Sequence, residues 1–330
     1  MSKKSLAAQA FVPEVANAPD CEVTAADFEW VGTDREKMEG VSRPSISFWQ
    51  DAMRRLWRDK KAIICIVLLA IVIIGAVVVS EVSPYTISEQ HLEHSNAPMF
   101  FKAEDGHMHI FGTDDLGRDI WTRVWDGGRT SLIIAFTAVF TCLFIGVAYG
   151  GISGYCGGAV DNLMMRFLEI VNGIPYLIIV ILMMMILPPG IGSMIVAYIA
   201  VGWIGMARLV RGQIISLKEQ EFVMAAKAMG ASGTRIIARH LVPNILSVVI
   251  INITLAVPSA IFTEAFLSFI GMGVPIPNTS WGVLAQEGVS KMQLYPSQLI
   301  IPAIFISVTM LSFNLLGDSL RDAFDPKLRR

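Results

Sequence analysis

Six blocks of apolar residues divide the chain, and each is close to the length of about 20 residues that a helix needs to cross a bilayer core. The blocks run from residues 62 to 80, 131 to 151, 163 to 187, 191 to 208, 245 to 269 and 298 to 316. Only Pro188, Pro189 and Gly190 separate the third block from the fourth, which predicts a tight hairpin. With 54% hydrophobic and 16% charged residues, the chain is too apolar for an ordinary soluble domain. We therefore expect an all-α, polytopic membrane protein with six transmembrane helices.

Lysine and arginine residues cluster in three regions outside these blocks, and they predict the orientation of the chain. They precede the first block, fill the segment between the fourth and fifth blocks, and recur in the C-terminal tail. The three sets are Arg54, Arg55, Arg58, Lys60 and Lys61; Arg211, Lys218, Lys227, Arg235 and Arg239; and Arg321, Lys327, Arg329 and Arg330. By the positive-inside rule all three regions are cytoplasmic, and an even number of spans then places both termini inside.

The segments before and between the blocks have different expected roles. The first 45 residues lack clear periodicity and an apolar signal-peptide core, which favours a mobile cytoplasmic tail. Trp49, Met53, Leu56 and Trp57 then recur at helical spacing, with basic residues on the other face, which favours an amphipathic helix in the headgroup region. A simple extension of the first span is the alternative. The expected segments are the tail 1–45, the interfacial amphipathic helix 46–61, the first transmembrane helix 62–80, an extracytoplasmic loop 81–130, a core domain 131–316 with five transmembrane helices and a cytoplasmic loop at 209–244, and a cytoplasmic C-terminal tail 317–330.

Several functional classes find no support in the sequence. The net charge of −2 gives no indication of a nucleic-acid partner. The four cysteines are scattered, so we expect no disulfide framework. His107 and His109 lie near aspartates without a regular ligand spacing, so we predict no metal site. There is no phosphate-binding glycine-rich loop ending in Gly-Lys-Ser/Thr, no nucleophile elbow and no metalloprotease motif, so we expect no catalytic residues in this chain.

The polar insert between the fourth and fifth blocks, residues 221–244, predicts a helix, a sharp turn and a second helix that leads into a span. Its alanines favour a helix, and Gly230 suits the left-handed conformation that ends one. Ser232 or Thr234 can cap the next helix, and Pro243 suits the first turn of the following span. A solvated basic loop would explain the charge of this insert but not the placement of its alanines, glycine and proline.

The insert resembles the coupling loop of ATP-binding-cassette (ABC) importer permeases. The family pattern is Glu-Ala-Ala, three residues, Gly, nine residues, then Ile-x-Leu-Pro. Here Met224 replaces the Glu, His240 the Ile and Val242 the Leu. The resemblance implies contacts with an ATPase subunit, and the loop ends at Pro243. The implied contact residues are Glu221, Met224, Ala225, Ala226, Lys227, Gly230, Ala231 and Ser232.

Four further segments are similar to those of C-type permeases of oligopeptide and dipeptide importers, and the similarity extends over about residues 45–330. The segments are His109-Ile-Phe-Gly-Thr-Asp-Asp-Leu-Gly-Arg-Asp119, Gly154-Tyr-Cys-Gly-Gly-Ala-Val-Asp161, Glu264-Ala-Phe-Leu-Ser-Phe-Ile-Gly-Met-Gly273 and Gly317-Asp-Ser-Leu-Arg-Asp-Ala-Phe-Asp-Pro326.

This resemblance implies a type I importer fold and a non-catalytic subunit in the bacterial cytoplasmic membrane. The implied partners are a second related permease, two ABC ATPase subunits that bind ATP and Mg, an extracytoplasmic substrate-binding protein and a peptide substrate. No cofactor is expected on this chain. Nickel chelates, glutathione and cationic peptides are alternative substrates. An ATP-independent secondary carrier is the alternative from another class, although no inverted repeats with broken helices are evident.

Polar residues within the blocks leave two interpretations open. Glu169, Asn252, Glu264 and Asn314 are candidates for the translocation path, since polar groups at membrane depth tend to face a cavity or a partner. For Glu264, bonding to backbone groups at the broken end of the fifth span, beside Gly271 and Gly273, is the alternative.

Charged residues before the second span also have two interpretations. Asp114, Asp115 and Asp119 alternate with Arg118, Arg123 and Arg129, which favours an ion-pair network that orders the entrance to this span. The alternative is that these charges, Asp114, Asp115, Arg118 and Asp119 first among them, dock a substrate-binding protein.

Overall fold

The computed structural model describes residues 47–104 and 106–325, so the expected tail 1–45 and residues 326–330 lie outside the described part. The helices are α1 (Phe48–Leu56), α2 (Lys60–Val82), α3 (Ile120–Cys156), α4 (Gly158–Asn172), α5 (Tyr176–Ile186), α6 (Ile191–Gly202), α7 (Ile204–Leu217), α8 (Glu221–Ala228), α9 (Gly233–Ile236), α10 (Val242–Leu267), α11 (Trp281–Val289) and α12 (Ser297–Phe324). A turn of π-helix follows α9 at Ile237–Leu241, and another follows α10 at Ser268–Met272.

Most of the predicted apolar blocks form long helices in an all-α fold. Within the described residues, five helical stretches are long and apolar enough to cross a membrane, and a bent pair adds a sixth if it counts as one span. The five stretches are Lys60–Val82, Ile120–Cys156, Ile191–Leu217, Gly233–Met272 and Ser297–Phe324. The bent pair consists of α4 and α5, whose axes meet at 78°.

The break between α4 and α5 falls inside the third apolar block, which is therefore not one straight helix. Pro175 lies directly before α5 with an extended backbone (φ −54°, ψ 129°). Proline has no backbone N–H and disfavours helical geometry at the residue before it, here Ile174. The apolar composition of the block is continuous, so hydropathy alone does not reveal this bend.

Helix α3 lies at the centre of the bundle, in contact with α2, α6, α7 and α10. Near its start, the fully buried ring of Trp281 lies against Gly128, where any side chain would collide with the indole. The indole Nε1 donates a hydrogen bond to the Val124 carbonyl oxygen at 2.9 Å. This contact fixes α11 against α3.

The loop between α2 and α3 is tightly folded. It contains a two-stranded antiparallel pair, in which Phe101 faces His109 and Lys102 faces Met108, and a 3₁₀ turn at Leu92–His94. Gly117 has φ +71°, and a Cβ atom there would collide with the His91 carbonyl oxygen. Glycine at this position therefore allows two backbone segments of the loop to touch.

Two glycines in this loop provide a matched pair for a stability test. Gly117→Ala and Gly106→Ala both place a Cβ at positive φ, but around Gly106 nothing lies within 4 Å of the added atom. We expect Gly106→Ala to lower the free energy of unfolding by about 1–2 kcal/mol through left-handed strain. Gly117→Ala adds a backbone collision and should cost about 1–3 kcal/mol more. Thermal unfolding of the detergent-purified chain measures both, and equal losses would contradict the packing of this loop.

Candidate functional site

The segment from α8 to α10 has the helix, turn and helix order that the sequence predicts. Gly230 has φ +78°, and Ala231 N–H donates to the Ala226 carbonyl at 3.1 Å while Gly230 N–H donates to the Lys227 carbonyl at 2.9 Å. This pair of bonds is a Schellman motif, which satisfies carbonyls at the end of a helix. The turn therefore ends α8 through backbone geometry that glycine adopts without strain.

The predicted start of the next helix is correct in position but not in its capping bond. Ser232 occupies the N-cap position of α9, but its side chain makes no capping hydrogen bond. Pro243 is the second residue of α10, as predicted, but α10 continues directly from the π-helical turn Ile237–Leu241.

One face of α8 anchors it to the bundle. Val223 and Ala226 are buried and pack with Ile236 of α9 and with Val210 and Ile214 of α7. Their burial ties α8 to the cluster that includes residues of α7 and α9, so α8 is not a loosely attached loop.

The opposite face of α8 is apolar and uncovered in the single chain. Phe222, Met224 and Met229 are 40%, 53% and 82% exposed, and Ala225 is also exposed. We call these four residues, with Glu221 at the start of the helix, the coupling surface. Sequence comparison with the family pattern missed Phe222 and Met229. A helical wheel of α8 on which Val223 and Ala226 face the bundle leaves both residues outside the buried face and could have revealed them.

The remaining predicted contact residues surround this surface. Glu221, Lys227, Gly230 and Ser232 are exposed, Ala231 is half-buried, and Ala226 faces the bundle. The Lys227 ammonium lies 5.2 Å from the centre of the Tyr155 ring, within the range of a cation–π contact. Ala226 is thus a packing residue of α8 and not part of its exposed face.

A polar clamp beside α8 joins α3, α4 and α7. Arg211 of α7 donates from Nε and Nη2 to the two carboxylate oxygens of Asp161, both at 2.6 Å, and Ser153 of α3 donates to the same carboxylate. Lys218 Nζ donates to the Gly154 carbonyl at 3.1 Å. Because a bidentate arginine–carboxylate pair fixes both distance and orientation, the clamp holds the three helix ends together.

A second polar cluster lies at the other end of α3. Asp114 accepts from Arg118 Nε at 2.7 Å and from Arg123 Nη1 at 2.6 Å, and Arg123 Nη1 also donates to Glu287 of α11 at 2.8 Å. Asp119 caps α3 by accepting from Thr122 N–H at 2.8 Å. The other carboxylate oxygen of Asp119 lies 2.8 Å from Nδ1 of the buried His109.

The burial of this cluster bears on the two interpretations of the loop charges. Asp114, Arg118 and Asp119 are buried, so they favour the ion-pair network over docking of another protein. Asp115 is exposed and forms an ion pair with Lys291 at 2.6 Å. Burial raises the pKa of Asp115, but the hydrogen bond and charge of Lys291 outweigh it and hold that pKa below its ordinary value. Glu287 was not predicted, since it lies 164 residues from Arg123 in the sequence.

The four candidate path residues are in different environments. Glu264 is fully buried and accepts hydrogen bonds from the hydroxyls of Ser131 at 2.7 Å and Ser268 at 2.8 Å, which favours a structural role, although through side chains and not through the backbone groups that we expected. Glu169 is exposed and pairs with Arg166 at 3.0 Å. Asn314 is exposed and Asn252 is half-buried. The four candidates therefore do not share one environment in the single chain.

No metal centre emerges from the geometry. Across residues 47–104 and 106–325, no three His, Cys, Asp or Glu side chains are grouped so that they could hold a metal ion.

The adjacent residues Asp114 and Asp115 allow a direct test of the buried cluster. Asp114→Asn removes the charge that pairs with two buried arginines, and we expect it to lower the free energy of unfolding by about 3–5 kcal/mol. Asp115→Asn breaks an exposed pair and should cost about 0–1 kcal/mol. Thermal unfolding of the purified chain compares the two variants. A similar loss for both would show that the buried network does not stabilise the fold.

Comparison with family profiles covers most of the chain. A profile described as "Binding-protein-dependent transport system inner membrane component" matches residues 146–330. A second, described as "N-terminal TM domain of oligopeptide transport permease C", matches residues 47–98.

Curated relatives align over nearly the whole chain. The dipeptide transport system permease protein DppC of Bacillus subtilis (strain 168) is 46% identical over 306 residues, which cover 92% of this chain and 94% of the relative. The oligopeptide transport system permease protein OppC of the same organism is 44% identical over 92% of this chain and 97% of the relative. OppC of Escherichia coli (strain K12) is 42% identical over 89% and 95%, respectively. The chain therefore belongs to the family of binding-protein-dependent transport system inner membrane components, and it is an oligopeptide/dipeptide ABC permease subunit of the C type.

Proposed function

We propose that this chain forms half of the translocation path of an ATP-driven importer of oligopeptides or dipeptides and transmits the work of ATPase subunits through α8. The observation that carries the proposal is that α8 is buried on one face and exposed on the other. One face is fixed on α7, and the other is an apolar surface open to a partner. A soluble domain would gain little from exposing such a face, whereas helix-in-groove docking uses it directly.

The proposed assembly contains two permeases and two ATPases. A second, related permease completes the path, the two ABC ATPase subunits bind ATP and Mg, and a substrate-binding protein delivers the peptide from the extracytoplasmic side. The chain itself contributes no catalytic residue and lies in the bacterial cytoplasmic membrane with both termini inside. The basic residues near α1, α8 and the C-terminus support this orientation.

The proposed mechanism depends on rigid attachment of α8. Closure of the ATPase dimer displaces α8, and the clamp of Asp161 with Arg211 carries that displacement to α3 and α4. The two permeases then rock between inward-facing and outward-facing states. ATP drives this switch because it binds the two states with different affinity.

The choice of peptides as substrates is supported by the names of the relatives, which are dipeptide and oligopeptide transport permeases. Asn252, Glu169 and Asn314 stay candidates for the path, and the second permease would complete their surroundings. Asp115 stays a candidate for docking of the binding protein, since it alone of the four loop charges is exposed.

Purification of the chain in mild detergent, after expression with the genes that neighbour its own, tests the assembly. We expect two chains with Gly-x-x-x-x-Gly-Lys-Ser/Thr motifs and a second permease to co-purify. The assembly should take up labelled peptides into proteoliposomes only when ATP is present. Recovery of this chain alone, with transport in the absence of ATP, would favour a secondary carrier instead.

The coupling surface is tested by two alanine-to-glutamate variants. Ala225→Glu places a charge in the centre of the exposed face of α8, whereas Ala238→Glu places one at an exposed position beyond α9. We expect Ala225→Glu to reduce substrate-stimulated ATP hydrolysis of the reconstituted importer about tenfold or more, as for a central interface residue. Ala238→Glu should stay within about twofold of wild type. Unchanged stimulation in Ala225→Glu would sink the proposal that α8 docks through this face.

A further inference from the structure

Helix α1 and the turn that follows it present a largely exposed apolar face, on which the Trp49 ring packs against Phe324 of α12. Trp49, Met53 and Trp57 recur four residues apart and are 42%, 52% and 58% exposed. Ala52 and Leu56, which lie on the neighbouring face, are buried. Two tryptophans on one exposed face of a short helix are unusual in water, and they are typical of side chains that settle at a membrane interface.

The position of α1 places this face at the surface of the apolar bundle. Asp59 lies between α1 and the long apolar helix α2, and it accepts hydrogen bonds from Lys61 N–H at 3.0 Å and from Ser319 Oγ of α12 at 2.6 Å. The rings of Phe48 and Trp49 pack on Phe324 at the end of α12. Helix α1 therefore lies where α2 enters the apolar zone and α12 leaves it.

The charges around α1 leave an excess of positive groups. Arg55 pairs with Asp51 at 3.0 Å. Asp318 and Asp322 of α12 face Arg55 and Lys61 across a small cavity and offset their charge. In the part of the chain that the structure describes, Arg54, Arg58 and Lys60 have no acidic partner.

We propose that α1 is a binding site for anionic phospholipids. Trp49, Met53 and Trp57 lie at the boundary between headgroups and acyl chains, while Arg54 and Arg58 contact lipid phosphates. An amphipathic helix binds such a surface through its apolar area, and each basic residue near anionic lipid adds to the affinity. Since Asp59 joins this segment to Ser319, bound lipid also fixes the end of α12.

Depth measurement tests the apolar half of the proposal. A spin label is attached at Met53→Cys in the full chain, whose four native cysteines are replaced by alanine, and the chain is placed in nanodiscs of phosphatidylcholine and phosphatidylglycerol. Met229→Cys, at another exposed methionine, gives the aqueous reference, and Ile64→Cys on the exposed side of α2 gives the membrane reference. We expect the label at 53 to be accessible to oxygen and protected from a water-soluble nickel chelate. Accessibility equal to that at 229 would overturn the proposal. Protection of the label at 53 that appears only after a second protein chain is added would also overturn it, because it would assign the face to a protein partner.

Lipid affinity tests the charged half. Native mass spectrometry of the delipidated full chain measures binding of phosphatidylglycerol and phosphatidylcholine. The variant Arg54→Gln/Arg58→Gln should bind phosphatidylglycerol about 10- to 30-fold more weakly, given the contribution of each basic residue near the surface. Arg54→Lys/Arg58→Lys keeps the charge, and Lys227→Gln/Arg235→Gln removes two charges elsewhere. Both controls should stay within about twofold of wild type. Equal weakening in Lys227→Gln/Arg235→Gln would show diffuse charge attraction only and would overturn a site on α1.

Discussion

The close approach of other helices to α3 is the packing constraint on which the rest of the structure depends. At Gly128, Gly146, Gly150 and Gly154, an added Cβ would collide with α7 or α11, so α3 accepts its neighbours at backbone distance. Small residues serve this purpose in membranes because lipid supplies no hydrophobic force between helices, and association depends on van der Waals contact. Replacing these glycines with larger residues would move apart the helices that carry both polar clusters.

The two polar clusters lie at opposite ends of this one helix. Asp119 caps the start of α3, and Ser153 contacts the clamp near its end. With 37 residues, α3 is about 55 Å long. A single close-packed helix thus connects the loop end of the bundle with the end that carries α8. Packed interiors respond to displacement by shifting as units and not by deforming continuously, which suits transmission between the two ends.

Local patterns predicted those parts of the fold that depend on neighbouring residues. Block length gave the long helices, and the residue types at Gly230 and Pro243 gave the turn after α8 and the start of α10. Burial of individual charges was harder to predict, because it depends on partners far away in the chain. Asp114 and Glu287 of α11 both pair with Arg123, although Glu287 lies 164 residues away from it, and no spacing rule connects them. The bend at Pro175 was missed for a different reason, since one proline inside an apolar block hardly alters its hydropathy.

The replacement of the usual glutamate by Met224 changes the physical character of the coupling surface. An exposed ion pair or polar contact contributes about 0–1 kcal/mol, whereas full burial of a methionine side chain contributes about 1.5–3 kcal/mol. Phe222 and Met224 are two residues apart and so lie about 160° apart around the helix axis, which places these exposed apolar side chains at opposite borders of the open face of α8. Flexible methionine side chains adapt to an irregular groove at little cost. A partner that contacts these residues gains its affinity from the burial of apolar surface. Added salt weakens charge pairs by screening them, and this mechanism does not act on apolar burial. Under the proposed docking of α8, the departure from the family pattern exchanges a directional polar contact for an apolar and less specific one.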